Sequence, residues 1–290
     1  MKKLKIKLDK KINFNKGSRL QGFLMECLNE SDNGNNFFDS NCSVKVTQAQ
    51  IAGANQETVG AKLCEPNDNC KNLDSIHTSS EYIDFLHSMQ YHPYTQFIEN
   101  DNENSIWHIN LLDANAEKKI CPIFDKKRSI KFDNSEEEIN IIDVEQIELS
   151  NQQLLLELSN TNPERYVKIK ILTPISFKSY NNYYYFPNIR LIFNSIINRF
   201  NKFFIDFTLD GTDVLNEIEE NFIISDYNIK TKNFYLERVK IKGFVGDITF
   251  RFNGTMQLAN IGNLLLKYGE FTGIGIKTSM GMGGFKIIKE

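Results

Sequence analysis

The order in which hydrophobic periodicity changes along residues 163–290 most constrains the fold. "RYVKIKILTPISF" alternates at period two, as a strand does. "PNIRLIFNSIINRFNKFF" switches to the helical period, is entered through Pro187, and carries Leu191, Ile192, Ser195, Ile196 and Phe200 on its inner side. "FIISDYNIKTKNFYLERVKIKGFVGDITFRFNG" holds two or three strands, "MQLANIGNLLLKYGE" is a helix, and "GGFKII" is a last strand. Strand–helix–strand–strand–helix–strand is the split βαβ, or ferredoxin-like, unit.

The first half reads as a degenerate copy of that unit. Residues 4–14 alternate as a strand, and "KGSRLQGFLMECLNE" is a helix with Leu20, Phe23, Leu24 and Cys27 or Leu28 on one face. From about 31 to 80 the chain turns rich in Asn, Asp, Ser and Gln, in "ESDNGNNFFDSNC" and "EPNDNCKNLDSIHTSS". Such composition buries little apolar surface, so the expectation is an inserted, flexible segment. A short helix, "SEYIDFLHSMQ", capped by Ser79 or Ser80, brings back the globular pattern. "PYTQFIEN" and "SIWHINLLD" form strands around the turn "DNEN", followed by a helix over about 114–127 and one or more strands through "INIIDVEQIEL". The expected architecture is α+β: two tandem ferredoxin-like (βαββαβ) domains, 1–160 with the polar insertion and 163–290, meeting near "SNTNPE".

Charge is divided unevenly. Residues 1–162 carry 17 Lys+Arg against 25 Asp+Glu, and residues 163–290 carry 17 against 12, so net −8 and +5 sum to the chain's −3. A basic half on an acidic chain suits either an anionic partner such as nucleic acid or a mere drift of surface charge. Lys168, Lys170, Lys230, Lys232, Arg238, Lys240, Lys242 and Arg251 alternate with apolar residues, giving one basic strand face. No stretch approaches the roughly 20 apolar residues of a membrane helix. The N-terminus has no signal-peptide core, and the five cysteines match no zinc spacing. The expectation is a cytoplasmic protein with reduced thiols and no membrane partner.

The stretch "YGEFTGIGIKTSMGMGGFKI", residues 268–287, packs six glycines around Lys277, Thr278 and Ser279. It follows a helix and enters a strand, the reverse of a nucleotide-binding loop. With the ferredoxin-like order and the Leu-His pair of "EYIDFLHSMQYHPYTQF", it resembles the CRISPR-associated endoribonucleases of the repeat-associated (RAMP) superfamily, the sixth Cas protein family. That resemblance implies two ferredoxin-like domains and cleavage of precursor CRISPR RNA within each repeat, without metal or other cofactor. It implies attack by a 2′-hydroxyl, leaving 5′-hydroxyl and 2′,3′-cyclic phosphate ends. The implied partner is repeat RNA, single-stranded or a short hairpin. Effector-complex proteins and a second copy of the chain are further partners to test.

Such chemistry asks for a base to deprotonate the 2′-hydroxyl, an acid to protonate the departing 5′-oxygen, and a donor for the phosphorane oxygens. Histidine serves either proton-transfer role at neutral pH. The resemblance assigns His87 as the catalytic histidine. His92, ahead of Pro93, is either a second proton-transfer or phosphate-donating group, or an exposed bystander. His77 falls in the polar insertion, and His108 on a strand face opposite Trp107 is expected to be structural. Relatives support the histidine with a lysine and a first-helix tyrosine. Here no lysine lies between His87 and Lys118, and the first helix offers Lys16, Ser18 and Arg19, with Tyr91 and Tyr94 as alternatives. In the tail, Gly273, Gly275, Gly281 and Gly283 are expected to let amides reach RNA phosphates, with Lys277 as counter-charge and Thr278 and Ser279 as hydroxyl donors. The aromatic run Tyr183, Tyr184, Tyr185, Phe186 either stacks on bases or fills a gap between domains.

Overall fold

A computed structural model describes residues 1–33, 91–132, 138–179, 182–204, 206–236 and 239–289. The polar insertion, the expected helix at 80–90, His77, His87 and Arg238 lie outside the described residues.

In the first half, β1 (Lys2–Leu8) leads through a 3-10 turn at Phe14–Lys16 into α1 (Gly17–Asn33). Then come β2 (Tyr94–Asn100), β3 (Ser105–Leu111), α2 (Ala114–Lys126), β4 (Ser129–Lys131) and β5 (Glu138–Glu148). The sheet order is β2-β3-β1-β5-β4, with β1 antiparallel to both β3 and β5. Without the short edge strand β4 this is the ferredoxin-like arrangement. Alternation drives it: Leu4, Ile6 and Leu8 point into a core closed by Leu20, Phe23, Leu24 and Leu28 of α1 and by Ile120 and Phe124 of α2. Strand β1 ends at Leu8 rather than residue 14. The amide of Ile12 turns away to the Ser105 hydroxyl at 2.8 Å.

The second half runs β6 (Tyr166–Ile175), β7 (Phe177–Ser179), β8 (Asn182–Tyr184), α3 (Ile189–Phe203), α4 (Gly211–Asn221), β9 (Phe222–Leu236), β10 (Val239–Phe252), α5 (Met256–Thr272) and β11 (Phe285–Ile288). Its main sheet is ordered β11-β6-β10-β9, again the ferredoxin-like order, and β7 pairs with β8 in a separate hairpin. The expected two or three middle strands are two long ones of 15 and 14 residues. Helix α4 and the β7–β8 hairpin were not expected from periodicity. Ile192, Phe193, Ile196 and Phe200 of α3 pack with Leu264 and Leu265 of α5 against Ile169, Ile248 and Phe250 of the sheet. The two units are tandem ferredoxin-like folds. Among the described residues no helix is long and apolar enough to cross a membrane.

Strand β2 joins the halves. The Gln96 amide donates to Gly17 O at 3.1 Å and to Ser279 O at 2.7 Å, while its oxygen accepts the Trp107 indole N–H at 2.7 Å. The Thr95 hydroxyl donates to Phe271 O at 2.5 Å. His108 is buried, stacks on Phe97 at 4.4 Å, and meets Glu99 at 3.1 Å; Lys286 of β11 meets the other Glu99 oxygen at 2.5 Å. That is the structural role expected of His108.

Candidate RNA-cleaving site

The glycine loop and α1 face each other across a cleft of about 870 Å³. Ser18, Gln21, Gly22 and Met25 form one wall, at the i, i+3, i+4, i+7 spacing that shares a helix face. Leu20, Leu24 and Leu28 occupy the opposite, buried face. Tyr91 and His92 continue this wall as the chain approaches β2. The other wall is Gly275 through Met280, backed by Asn194, Ser195, Asn198 and Arg199 of α3 and flanked by Lys178 of β7.

The loop gets its shape from glycine. Gly275 sits at φ +83°, and a Cβ there would lie 2.3 Å from Ser176 O. Gly273, Gly281 and Gly283 also have positive φ. At the other wall, a Cβ on Gly17 would lie 2.2 Å from Met280 O, so α1 and the 3-10 turn Thr278–Met280 touch backbone to backbone. The faces these glycines leave bare are therefore filled by protein. That differs from the expectation that they open the backbone to phosphates. What the loop presents to the cleft is Gly275, Lys277, Thr278 and Ser279, while Gly273, Gly281 and Gly283 lie outside its lining. Among the described residues Lys277 is the one non-glycine with positive φ, at 57°. Such a conformation persists only where the surroundings enforce it.

Arg199 is the member that the sequence reading missed. It is 6% exposed, donating to Ser195 O at 3.0 Å, to Gly275 O at 2.6 Å and to the Thr278 hydroxyl at 3.3 Å. Its guanidinium lies 5.5 Å from the centre of the Tyr91 ring. Burial pulls its pKa down to about 10, still leaving it charged at neutral pH. The signal was available: a face that turns Ile192, Ser195 and Ile196 inward turns Arg199 inward at the next step. Ser195 completes the support, its hydroxyl accepting the Gly275 amide at 3.1 Å.

Among the described residues no aspartate or glutamate lines the cleft, which holds Lys178, Lys277 and Arg199. The described lining is cationic and partly apolar and includes the His92 imidazole, a combination suited to a polyanion. His92 meets Tyr94 edge-to-face at 5.9 Å. The Tyr94 hydroxyl accepts from Gln21 at 3.1 Å, and burial raises its pKa. Lys16 and Arg19 do not line the cleft. The Lys16 amine lies over the Phe132 ring at 5.2 Å, and Arg19 is exposed on another face of α1. Of Lys16, Ser18 and Arg19, Ser18 is the one that lines it. A second groove of about 380 Å³ between the halves carries Lys170, Lys230 and Lys232, part of the expected basic strand face.

Comparison with known proteins agrees in sequence and in fold. Residues 169–285 match the family model for CRISPR-associated endoribonuclease Cas6. The chain is 32% identical over 208 residues to the CRISPR-associated endoribonuclease Cas6 of Streptococcus thermophilus, covering 72% of this chain and 85% of that protein. Similar solved folds include a Cas6 product complex, with TM-score 0.68, 15% identity and full coverage of both chains. A Thermus thermophilus Cas6 superposes with TM-score 0.62 at 15% identity, covering 99% of this chain and 98% of that one. With its ferredoxin-like pair and glycine-loop cleft, the chain belongs to the CRISPR-associated endoribonuclease Cas6 family.

Proposed function

We propose that this protein cuts precursor CRISPR RNA once per repeat, by metal-independent attack of a 2′-hydroxyl on the adjacent phosphorus, to give guide RNAs. The observation that carries the reading is the shared cleft: His92 and Ser18 on one wall, Lys277, Thr278, Ser279 and Arg199 on the other, with no carboxylate among the described residues that line it. A phosphodiester there meets cations and hydroxyl donors that favour the extra charge of the phosphorane, in a partly dehydrated setting where such charges act strongly.

In this mechanism His87 and His92 share proton transfer. One imidazole takes the 2′-hydroxyl proton as the 2′-oxygen bonds to phosphorus, and the other protonates the 5′-oxygen as its bond breaks. The assignment of His87 rests on the family resemblance. That of His92 rests on its place in the cleft wall. Lys277 neutralises a non-bridging oxygen, and Thr278 and Ser279 donate hydroxyls. Arg199 holds the Gly275 carbonyl and so fixes the loop that carries them. Lys16 and Arg19, offered as charge stabilisers, are given no part in the chemistry, since neither lines the cleft.

The test is incubation of the purified protein with end-labelled repeat RNA in excess EDTA. A single cut with a cyclic phosphate end, abolished by a 2′-deoxy sugar at that nucleotide and reduced at least a hundredfold by His87→Ala, is expected. His92→Ala is expected to slow the cut by tenfold or more. Tight binding of the repeat with no cut would instead make the protein a holder of guide RNA.

A further inference from the structure

We infer that the aromatic ledge Tyr183–Phe186 is a stacking platform for unpaired nucleotides flanking the scissile phosphate; this rests on the ribonuclease reading above. Tyr183, Tyr184, Tyr185 and Phe186 are 39%, 44%, 42% and 66% exposed. The ledge therefore does not fill a gap between the halves. The hairpin is anchored at Phe177, buried against Phe244, while the β8 strand, a member of neither main sheet, leaves Tyr183 and Tyr184 exposed and runs on into Tyr185 and Phe186.

Two further features select the occupant. Lys178 lies 6.0 Å from the Tyr183 ring centre, and Lys242 of β10 lies 5.4 Å from that of Tyr185. Protein–protein interfaces are depleted in lysine. Aromatic rings interleaved with cations are what single-stranded nucleic acid needs, with rings for the bases and amines for the phosphates. The ledge also continues into the cleft. Lys178 is paired with Tyr183 across the hairpin and lines the cleft itself. At the hairpin's root the Ser176 hydroxyl donates to Tyr184 O at 3.4 Å, while Ser176 O accepts the Ile276 amide of the glycine loop at 3.0 Å. A strand leaving the cleft past Lys178 therefore runs onto the rings. Stacking uses a π-face every base has, so the ledge confers affinity and little sequence choice.

The experiment measures binding of repeat RNA made uncuttable by a 2′-deoxy sugar at the mapped cleavage nucleotide. The Tyr184→Ser, Phe186→Ser double variant is expected to bind roughly tenfold more weakly or worse. The aromatic swap Tyr184→Phe, Phe186→Tyr should stay within about twofold of the parent. Abasic nucleotides flanking the cut should weaken the parent similarly and add little to the serine variant, the signature of a shared contact. A parent that cuts repeat RNA while the serine variant binds as tightly as the parent overturns the ledge and leaves the ribonuclease reading standing. A parent that neither binds nor cuts the repeat overturns both. A parental dimer that the serine changes convert to monomer, with RNA affinity unchanged, assigns the ledge to a second copy and overturns the inference.

Discussion

Arg199 concentrates the energetics of the site in one side chain. A guanidinium this buried normally has a carboxylate beside it. Among the described residues its acceptors are two carbonyls and a threonine hydroxyl, none of which offsets its charge. Replacing it with methionine keeps the volume, strands the Gly275 carbonyl, and removes the cation. Arg199→Met should lower stability by about 1–3 kcal/mol for the unpaired acceptor. It should also flatten the salt dependence of repeat-RNA binding by the slope of roughly one phosphate contact. Arg199→Lys retains charge and loses the fork. It should keep the salt slope while losing cleavage rate. Equal slopes for the parent and the methionine variant would show that the charge does not reach RNA.

Among elements, the contact between α1 and the 3-10 turn Thr278–Met280 sets the width of the cleft, and two glycines of one helix test it in opposite senses. Gly17 has helical dihedrals, so alanine strains nothing locally, yet its Cβ would meet Met280 O at 2.2 Å. Gly17→Ala should push the turn away, lower stability by about 1–3 kcal/mol as overpacking does, and depress cleavage. Gly22, also in the cleft wall, has nothing within 4 Å of the same position. Gly22→Ala should raise stability by about 0.5–1 kcal/mol, the ordinary helical difference. Thermal unfolding of both variants reads the contrast, and a Gly17→Ala protein as stable as the parent would refute the backbone contact. The same scale shows what could be read beforehand. Strands such as Val167–Ile169–Ile171 and helices such as α3 announce themselves because one face is buried and the period follows. Helix α4 exposes most of "GTDVLNEIEEN" and buries only Leu215 and Ile218, so its apolar period is too sparse to register. The β8 strand buries none of its residues, so no alternation marks it. The glycines mark the loop, but Gly281 packs against Gly17 of α1, Gly284 against Phe97 of β2 and Gly275 against Ser176, partners that no local pattern encodes.

For the molecule as a whole, the seam between the halves makes folding sensitive to acid. Glu99 accepts from His108 of its own sheet and from Lys286 of the other, and these contacts, the His108 bond foremost, hold its carboxyl down to about 2. Its contribution is complete above the unfolded carboxyl value near 4.5 and is lost as pH falls toward 2. Burial lowers the pKa of His108 against the weaker pull of Glu99, so the folded protein keeps the ring neutral where the unfolded chain takes up a proton. That contribution is present at pH 7 and declines as pH falls through about 6.5. Other groups act on the same seam: Lys3 and Lys5 face His108, and burial takes Lys3 down to about 8 while its amine reaches Glu270 O at 3.2 Å. The urea midpoint should therefore fall in two stages on acidification, below about 6.5 and again below about 4.5. Glu99→Gln isolates the second stage. The gap between the parent and glutamine curves should be constant from pH 7 to about 5 and close as pH drops further, because glutamine has no charge to lose. A gap unchanged down to pH 3 would mean that the ionised carboxylate contributes nothing to joining the two halves.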